Sequence, residues 1–155
     1  MMIAGNHCNG SRGFTLIELM VTIALVAIFA TLAVPGFQQL MADNRRASEG
    51  NEILSTLNYA RSEAVKRREN VTATITTAGT GWSLEVKLSD DTVILDRDES
   101  SSPVGVSLTD GGVITFTSLG RLPAGENCKE IDIAYGGETR EIRVGPAGRV
   151  GENCG

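Results

Sequence analysis

The sequence predicts an α+β protein in which one long N-terminal helix packs on an antiparallel β-sheet. Three observations predict this fold. The chain of 155 residues has no charged residue from Leu19 to Ala42, so a long apolar segment precedes a charged remainder. Apolar residues then recur every three or four positions up to about residue 69. After Asn70 they alternate with polar ones, which is typical of strands.

The composition narrows the classes of function. The net charge of -5 disfavours a nucleic-acid-binding protein, because nonspecific DNA binding relies on Lys and Arg that neutralise phosphates. The one histidine is His7, so the rest of the chain lacks the commonest general base and metal ligand. We therefore expect a protein that is not an enzyme and that needs no cofactor or metal.

At the N-terminus, the order of segments is the reverse of that in a secretory signal peptide. The basic Arg12 precedes a Gly13–Phe14 junction, and the apolar stretch follows this junction instead of preceding it. Cleavage at the junction would remove residues 1–13 as a leader and keep the apolar stretch as an anchor. From Phe14 to Val34 this stretch has about 21 residues, enough to cross a hydrocarbon core of ~30 Å.

Glu18 is the unusual residue of the apolar stretch. An ionised carboxylate within a membrane span is costly, and such residues usually have a functional partner. Cleavage after Gly13 would create an α-amine on Phe14, four residues before Glu18. Our hypothesis is that Glu18 neutralises the Phe14 amine of a neighbouring subunit in an apolar assembly. The alternative is a plain anchor in which Glu18 only reaches the membrane interface.

The string Gly13-Phe14-Thr15-Leu16-Ile17-Glu18 resembles the prepilin signal of type IV pilins and of type II secretion pseudopilins. The resemblance implies that a membrane aspartyl peptidase cleaves after Gly13. It also implies methylation of the new N-terminus on Phe14 and makes Glu18 the carboxylate needed for assembly.

Pro35 and Gly36 interrupt the apolar run, and we predict a helix break there. A proline inside a helix removes one backbone donor and kinks or locally opens the helix. Two interpretations stay open. One is a plain kink, and the other, which the family resemblance implies, is a segment that loosens on assembly.

Residues 43–69 predict an amphipathic continuation of the helix. Their apolar residues are spaced by four, three and four positions, and charged residues occupy the other faces. This apolar stripe, which we expect to pack on the sheet, consists of Ile53, Leu57, Ala60 and Ala64. Gly50 is a weak point within this helix.

The remainder predicts about six or seven short antiparallel strands in one sheet. Glycine-rich turns at 78–81 and 136–137 make the first and the last pair of strands hairpins. The strands are expected at 71–76, 82–88, 92–95, 104–108, 113–117, 130–135 and 139–144. The charged run 96–99 is expected to be a solvated turn.

Three arginine-bearing segments of the head, two of which also contain glycine, resemble the GspH/FimT group, which comprises minor pilins of type IVa pili and a minor pseudopilin of type II secretion. They are Ile114–Arg121, Arg140–Val144 and Gly148–Val150. The resemblance implies a type IV pilin-like fold, with 14–42 as the transmembrane and assembly helix and 43–155 as a periplasmic head.

Cleavage of the leader would also remove Cys8, so that the mature chain keeps Cys128 and Cys154. Disulfides persist in an oxidising periplasm, and we therefore expect these two cysteines to be bridged. Such a bond would close a loop of about 27 residues and contribute roughly 3 kcal/mol.

The resemblance leaves three functions open. The first is a minor pilin at or near the pilus tip that helps to prime assembly, the second a minor pseudopilin of type II secretion. The third is a DNA-binding pilin for DNA uptake. Some competence pilins of the group bind DNA through a basic tail, but here residues 148–154 carry one arginine, Arg149, and one acid, Glu152. DNA binding is therefore not expected.

The implied partners are other minor pilins and the major pilin, or pseudopilins, together with the prepilin peptidase and the inner membrane. A tip adhesin is a further candidate. Before assembly we expect a single-pass inner-membrane protein with its head in the periplasm. After assembly we expect it in the filament. Neighbouring genes would separate the pilus from the secretion system.

Overall fold

The computed structural model describes residues 13–79, 81–109 and 111–154, and it confirms the α+β class. Helix α1 spans Leu16–Arg67. Strands follow within the described residues: β1 (Val71–Ala78), β2 (Gly81–Lys87), β3 (Val93–Glu99), β4 (Gly105–Leu108), β5 (Val113–Phe116), β6 (Lys129–Tyr135), β7 (Glu138–Val144) and β8 (Val150–Gly151). The chain divides after Gln38 into two compact units, and the second contains every strand.

The strands form two four-stranded antiparallel sheets, so the prediction of one sheet is wrong. The first sheet has the order β3-β2-β1-β5, and the second has the order β4-β6-β7-β8. Both predicted hairpins are confirmed, because β1 pairs with β2 and β6 with β7. The pairs β1–β5 and β4–β6 join segments far apart in the sequence, and local alternation does not specify them.

Strand β3 also extends beyond its predicted end. It continues to Glu99, which lies opposite Trp82 of β2, so the charged run 96–99 is strand and not turn. This strand forms an edge of the first sheet, where charged side chains reach water and discourage backbone hydrogen bonding with a strand of another chain.

The apolar stripe of α1 forms one core with both sheets. All four stripe residues predicted from the spacing are fully buried, which confirms the amphipathic helix. Full burial of a leucine or isoleucine side chain contributes ~1.5–3 kcal/mol, so this core is the main stabilising term of the head. Its largest side chains from the strands are Trp82, Phe116, Leu84, Ile114, Ile131, Ile133 and Ile142.

Gly50 is a close-packing position within helix α1. A Cβ atom there would lie 3.0 Å from Arg140 Nη1 and 3.2 Å from Ile133 Cδ1. The missing side chain therefore lets the second sheet approach α1. Arg140 Nη1 uses this approach to donate hydrogen bonds to Ala47 O at 3.2 Å and to Asn51 Oδ1 at 3.1 Å.

Glu49 joins the helix to the first sheet and to the segment that follows β3. Trp82 Nε1 donates to Glu49 Oε2 at 2.8 Å, and Ser102 Oγ donates to Glu49 Oε1 at 2.6 Å. Both oxygens of this half-buried carboxylate thus accept a hydrogen bond, as a polar group removed from water requires. The sequence pattern placed Glu49 on a charged face of the helix and did not predict these two contacts.

Two basic neighbours stabilise the carboxylate form of the buried Glu63. Hydrogen bonds from Arg67 and then Lys66, at 2.7 and 3.2 Å, hold the pKa of Glu63 below its usual value of 4.5. Because the folded head favours the carboxylate, the stabilising contribution is complete above pH 4.5 and disappears as the pH falls through the lowered pKa.

We expect Glu63→Gln to lower the melting temperature of the detergent-solubilised chain near neutral pH, and the difference from wild type to shrink below about pH 4. Fluorescence of Trp82, the one tryptophan, reports unfolding of the head. Glu152→Gln, an exposed acid in the tail, serves as the control and should leave the melting temperature unchanged. A difference between Glu63→Gln and wild type that is the same at both pH values would contradict this role.

Candidate functional site

The N-terminal segment begins with a helix cap built by Thr15 and Glu18. Thr15 N and Thr15 Oγ1 both donate to Glu18 Oε2 at 3.0 Å, and Glu18 N donates to Thr15 Oγ1 at 3.3 Å. This reciprocal pattern is a capping box, with Thr15 just before the first helical residue and Glu18 three positions later. We did not predict it, although the spacing Thr-x-x-Glu before an apolar run signals it.

The predicted cleavage site lies directly before this cap. Gly13 and Phe14 precede the helix and are exposed, so the bond between them lies outside regular structure. Cleavage there would leave Thr15 N as an amide, and the cap would persist beside the new amine of Phe14. Arg12 and the rest of the leader lie outside the described residues. Cleavage, methylation and pairing of Glu18 between subunits stay predictions.

In the N-terminal half of α1, the large apolar side chains that the structure describes are exposed on all faces, among them Leu19, Val26 and Phe29. Of the helices in the described residues, α1 is the one long and apolar enough to span a membrane. A helix that is apolar all round is stable in a membrane or in the core of an assembly, and not in water.

Pro35 and Gly36, where we predicted a helix break, lie within helix α1, and a kink there stays a prediction. Helix α1 is assigned without interruption through both residues. Proline has no backbone N–H, so it removes the donor that would bond to Thr31 O. Loosening of this segment on assembly, which the family resemblance implies, stays a prediction.

A second candidate region closes the C-terminal corner of the head. Cys128 and Cys154 form the predicted disulfide, with their Cα atoms 5.9 Å apart. It holds the tail after β8 against the segment that leads into β6. A Cβ atom on Gly145 would overlap Cys154 O, so the tail packs directly on the backbone there. Within residues 13–79, 81–109 and 111–154, no three potential ligands among His, Cys, Asp and Glu group to hold a metal ion.

The two glycine-arginine turns of the head meet at this corner. A Cβ atom on Gly148 would overlap Gly120 O, and Leu122 N donates to Pro146 O at 3.1 Å. Arg61 Nε of the helix donates to Gly120 O at 3.0 Å. Gly120 and Gly148 both have a positive φ, a backbone conformation that side chains disfavour and glycine adopts readily. The structure thus brings together two of the three segments that carry the resemblance of the head.

A helix with an exposed apolar N-terminal half, followed by a disulfide-closed β-rich head, defines a type IV pilin-like protein. The family profile described as "Type II transport protein GspH" matches residues 49–148, and that described as "Prokaryotic N-terminal methylation motif" matches residues 8–34. The chain therefore belongs to the GspH family and carries an N-methylation motif at its N-terminus. Together with the apolar helix, this motif indicates membrane anchoring.

The chain is similar to curated fimbrial and pilin proteins. A "Fimbrial protein" of Pseudomonas aeruginosa is 27% identical over 113 residues, which cover 73% of this chain and 71% of that protein. The "Type IV major alpha-pilin" of Moraxella bovis is 38% identical over 45 residues, which cover 29% of this chain and 28% of that protein.

The fold is similar to that of a solved minor pilin. The crystal structure of the type IV minor pilin FimU of Pseudomonas aeruginosa superposes with a TM-score of 0.60 at 22% identity. The match covers 72% of this chain and 90% of that chain, and it confirms the predicted pilin-like fold. Members of this pilin and pseudopilin family interact with other pilins, so contacts with such subunits follow from family membership.

Proposed function

We propose that this chain is a structural minor pilin of a type IVa pilus, incorporated at or near the tip, where it helps to prime assembly. The observation that carries the proposal is the combination of a capped, exposed apolar helix with a head of GspH type. The apolar helix anchors and packs the subunit, and the head gives it a surface distinct from that of a major pilin. The role is structural and involves no catalysis.

The extents of the matches support a minor rather than a major subunit. The Moraxella bovis major pilin matches over only 45 residues, whereas the GspH profile covers residues 49–148 and thus most of the head. A head of GspH type joined to an N-terminal methylation motif suits a subunit that enters the filament at a special position.

The second candidate is a minor pseudopilin of a type II secretion system, which the description of the matching family favours. In both cases the chain would be cut by a prepilin peptidase after Gly13 and held in the inner membrane with its head in the periplasm. The partners differ: other minor pilins, the major pilin and a tip adhesin in one case, pseudopilins in the other.

Deletion of the gene in its own host separates the two candidates. For a minor pilin we expect few or no surface filaments in sheared fractions, with normal amounts of proteins secreted into the medium. Expression of the intact gene in the deletion strain should restore the filaments. Normal filaments with a loss of secreted proteins would contradict the pilus role and support the pseudopilin.

A further inference from the structure

The head exposes a leucine in a turn that is firmly held. Leu119 is 73% exposed, more than the other large apolar side chains described in the second unit. Gly120 N donates to Thr117 O at 2.7 Å, and Thr117 N donates to Arg121 O at 2.8 Å. These bonds use backbone atoms only, so the turn does not require a leucine at its tip. An apolar side chain held in water by a fixed turn is available for burial against a partner.

The apolar surface continues from this turn onto the helix. Val65 is 50% exposed, and its Cγ2 lies 2.8 Å from the place that a Cβ atom of Gly120 would take. Turn and helix therefore meet at a glycine. We name as the Leu119 surface the apolar residues Val65, Leu119, Pro123 and Ala124. Two open depressions of about 420 and 390 Å³ flank it, one beside the loop 117–126 and one along the helix from Asn58 to Lys66.

The rim of the Leu119 surface is mainly cationic. Arg61, Lys66 and Arg121 line the two depressions. Lys66 pairs with Glu63, but Arg61 and Arg121 form no ion pair among the described residues. Glu126 also lines this rim, and its carboxylate lies 3.4 Å from Lys129 Nζ. Neither guanidinium group has a carboxylate partner among the described residues, although that of Arg61 also donates to Gly120 O. Such groups beside an apolar patch favour a partner that carries carboxylates.

The opposite edge of the same sheet carries exposed carboxylates, which complement the cationic rim of the Leu119 surface. The strand order β3-β2-β1-β5 makes β5 and β3 the two edges of this sheet. The turn that carries Leu119 follows β5, so β3 is the edge opposite to it. Strand β3 exposes Asp96 and Asp98 together with the half-exposed Val93. Arg97, between the two aspartates, is also exposed and pairs with Glu52 at 3.2 Å. Helical filaments arise from contacts between two different surfaces of successive subunits. A head with a cationic apolar patch at one edge of its sheet and an acidic edge opposite fits such a contact.

We propose that the Leu119 surface docks the head of a neighbouring pilin-type subunit, which presents carboxylates around an apolar contact as edge strand β3 does here. Leu119 is the central anchor, and Arg61 and Arg121 orient the partner through its carboxylates. This inference rests on the proposed incorporation of the chain into a filament and assigns a partner surface to its head.

The first test compares Leu119→Asp with Val113→Asp in the full chain, expressed in its own deletion strain. Val113 is 46% exposed and lies outside the Leu119 surface, so it controls for an added charge. We expect about ten-fold less Leu119→Asp protein in sheared filaments, because a central anchor is replaced by a repelling carboxylate. The Val113→Asp protein should enter filaments like wild type. Membrane levels and the Cys128–Cys154 bond, checked by non-reducing mass spectrometry, report folding.

Two variants of Arg121 test the same inference if Leu119→Asp does not fold. Arg121 is exposed, so neither Arg121→Glu nor Arg121→Lys disturbs the core. We expect Arg121→Glu to reduce incorporation and Arg121→Lys to retain most of it. Equal incorporation of both, or of Leu119→Asp and wild type, would overturn the inference while leaving the proposed function intact. Absence of the wild-type chain from filaments would overturn both.

A crosslink identifies the occupant directly. With Leu119→p-benzoylphenylalanine, illumination of cells should yield an adduct that mass spectrometry assigns to the head of a pilin-type subunit, either a different one or a second copy of this chain. Adducts with lipid or with a protein of another class would overturn the inference. So would the absence of any adduct from a variant that enters filaments normally.

Discussion

Gly148→Ala is expected to unfold the C-terminal corner of the head and to lower its stability by roughly 2–5 kcal/mol. Two costs add at this position. The residue has a φ of +76°, which disfavours any side chain. A Cβ atom would also overlap Gly120 O and lie 2.8 Å from the carbonyl carbon of Gly120 and 3.1 Å from Arg121 Cα. Because all three are backbone atoms, the two turns would have to move apart.

Two other glycines separate these costs. Gly137 has a φ of +83° but nothing within 4 Å of a Cβ atom, so Gly137→Ala measures the conformational cost alone. Gly151 has neither a positive φ nor a near neighbour, and Gly151→Ala should leave stability unchanged. Chemical denaturation followed by Trp82 fluorescence should rank the losses as Gly148 above Gly137 above Gly151. Equal losses at Gly148 and Gly137 would show that the two turns do not pack as closely as described.

The sequence predicted local structure well and long-range structure poorly. The spacing of the helix stripe and the alternation around the two hairpins were confirmed, because each pattern depends on neighbouring residues of one segment. The division into two sheets was missed, since it depends on β5 returning to β1 and on β4 pairing with β6. Periodicity shows which side of a strand is buried, but it does not identify the strand beside it.

Glycines show the same limit at single positions. Gly50 in a helix reads as a weakness by propensity, and only the packed structure reveals Ile133 and Arg140 against it. In the candidate site, too, residues of one motif could be predicted, whereas contacts between distant residues could not. The residues Gly13, Phe14 and Glu18 belong to one short motif and could be predicted, as could the cysteine pair. The hydrogen bonds of Glu49 to Trp82 and Ser102 bring together residues more than thirty positions apart, and no local pattern signals them.

Glu18→Ala is expected to abolish entry into the filament while leaving the subunit in the membrane. In an apolar filament core, the Phe14 amine of a neighbouring subunit would lose the carboxylate that neutralises it, and a buried charge without its partner is strongly destabilising. Insertion into a membrane should become easier, because the substitution removes the one charge of the span. Sheared filaments and the membrane fraction, probed for this subunit at its mature mass, report the two effects separately.

The capping box adds a second explanation for such a loss, and Glu18→Gln separates it from pairing. Glutamine at the third helical position can still accept from Thr15 N, so the cap is retained without the charge. If Glu18 acts by neutralising an amine, both Ala and Gln should fail to enter filaments at normal membrane levels. Entry of the Gln protein but not of the Ala protein would assign Glu18 to the cap alone. Normal entry of both would leave Glu18 without a role in assembly, because a plain anchor tolerates either residue.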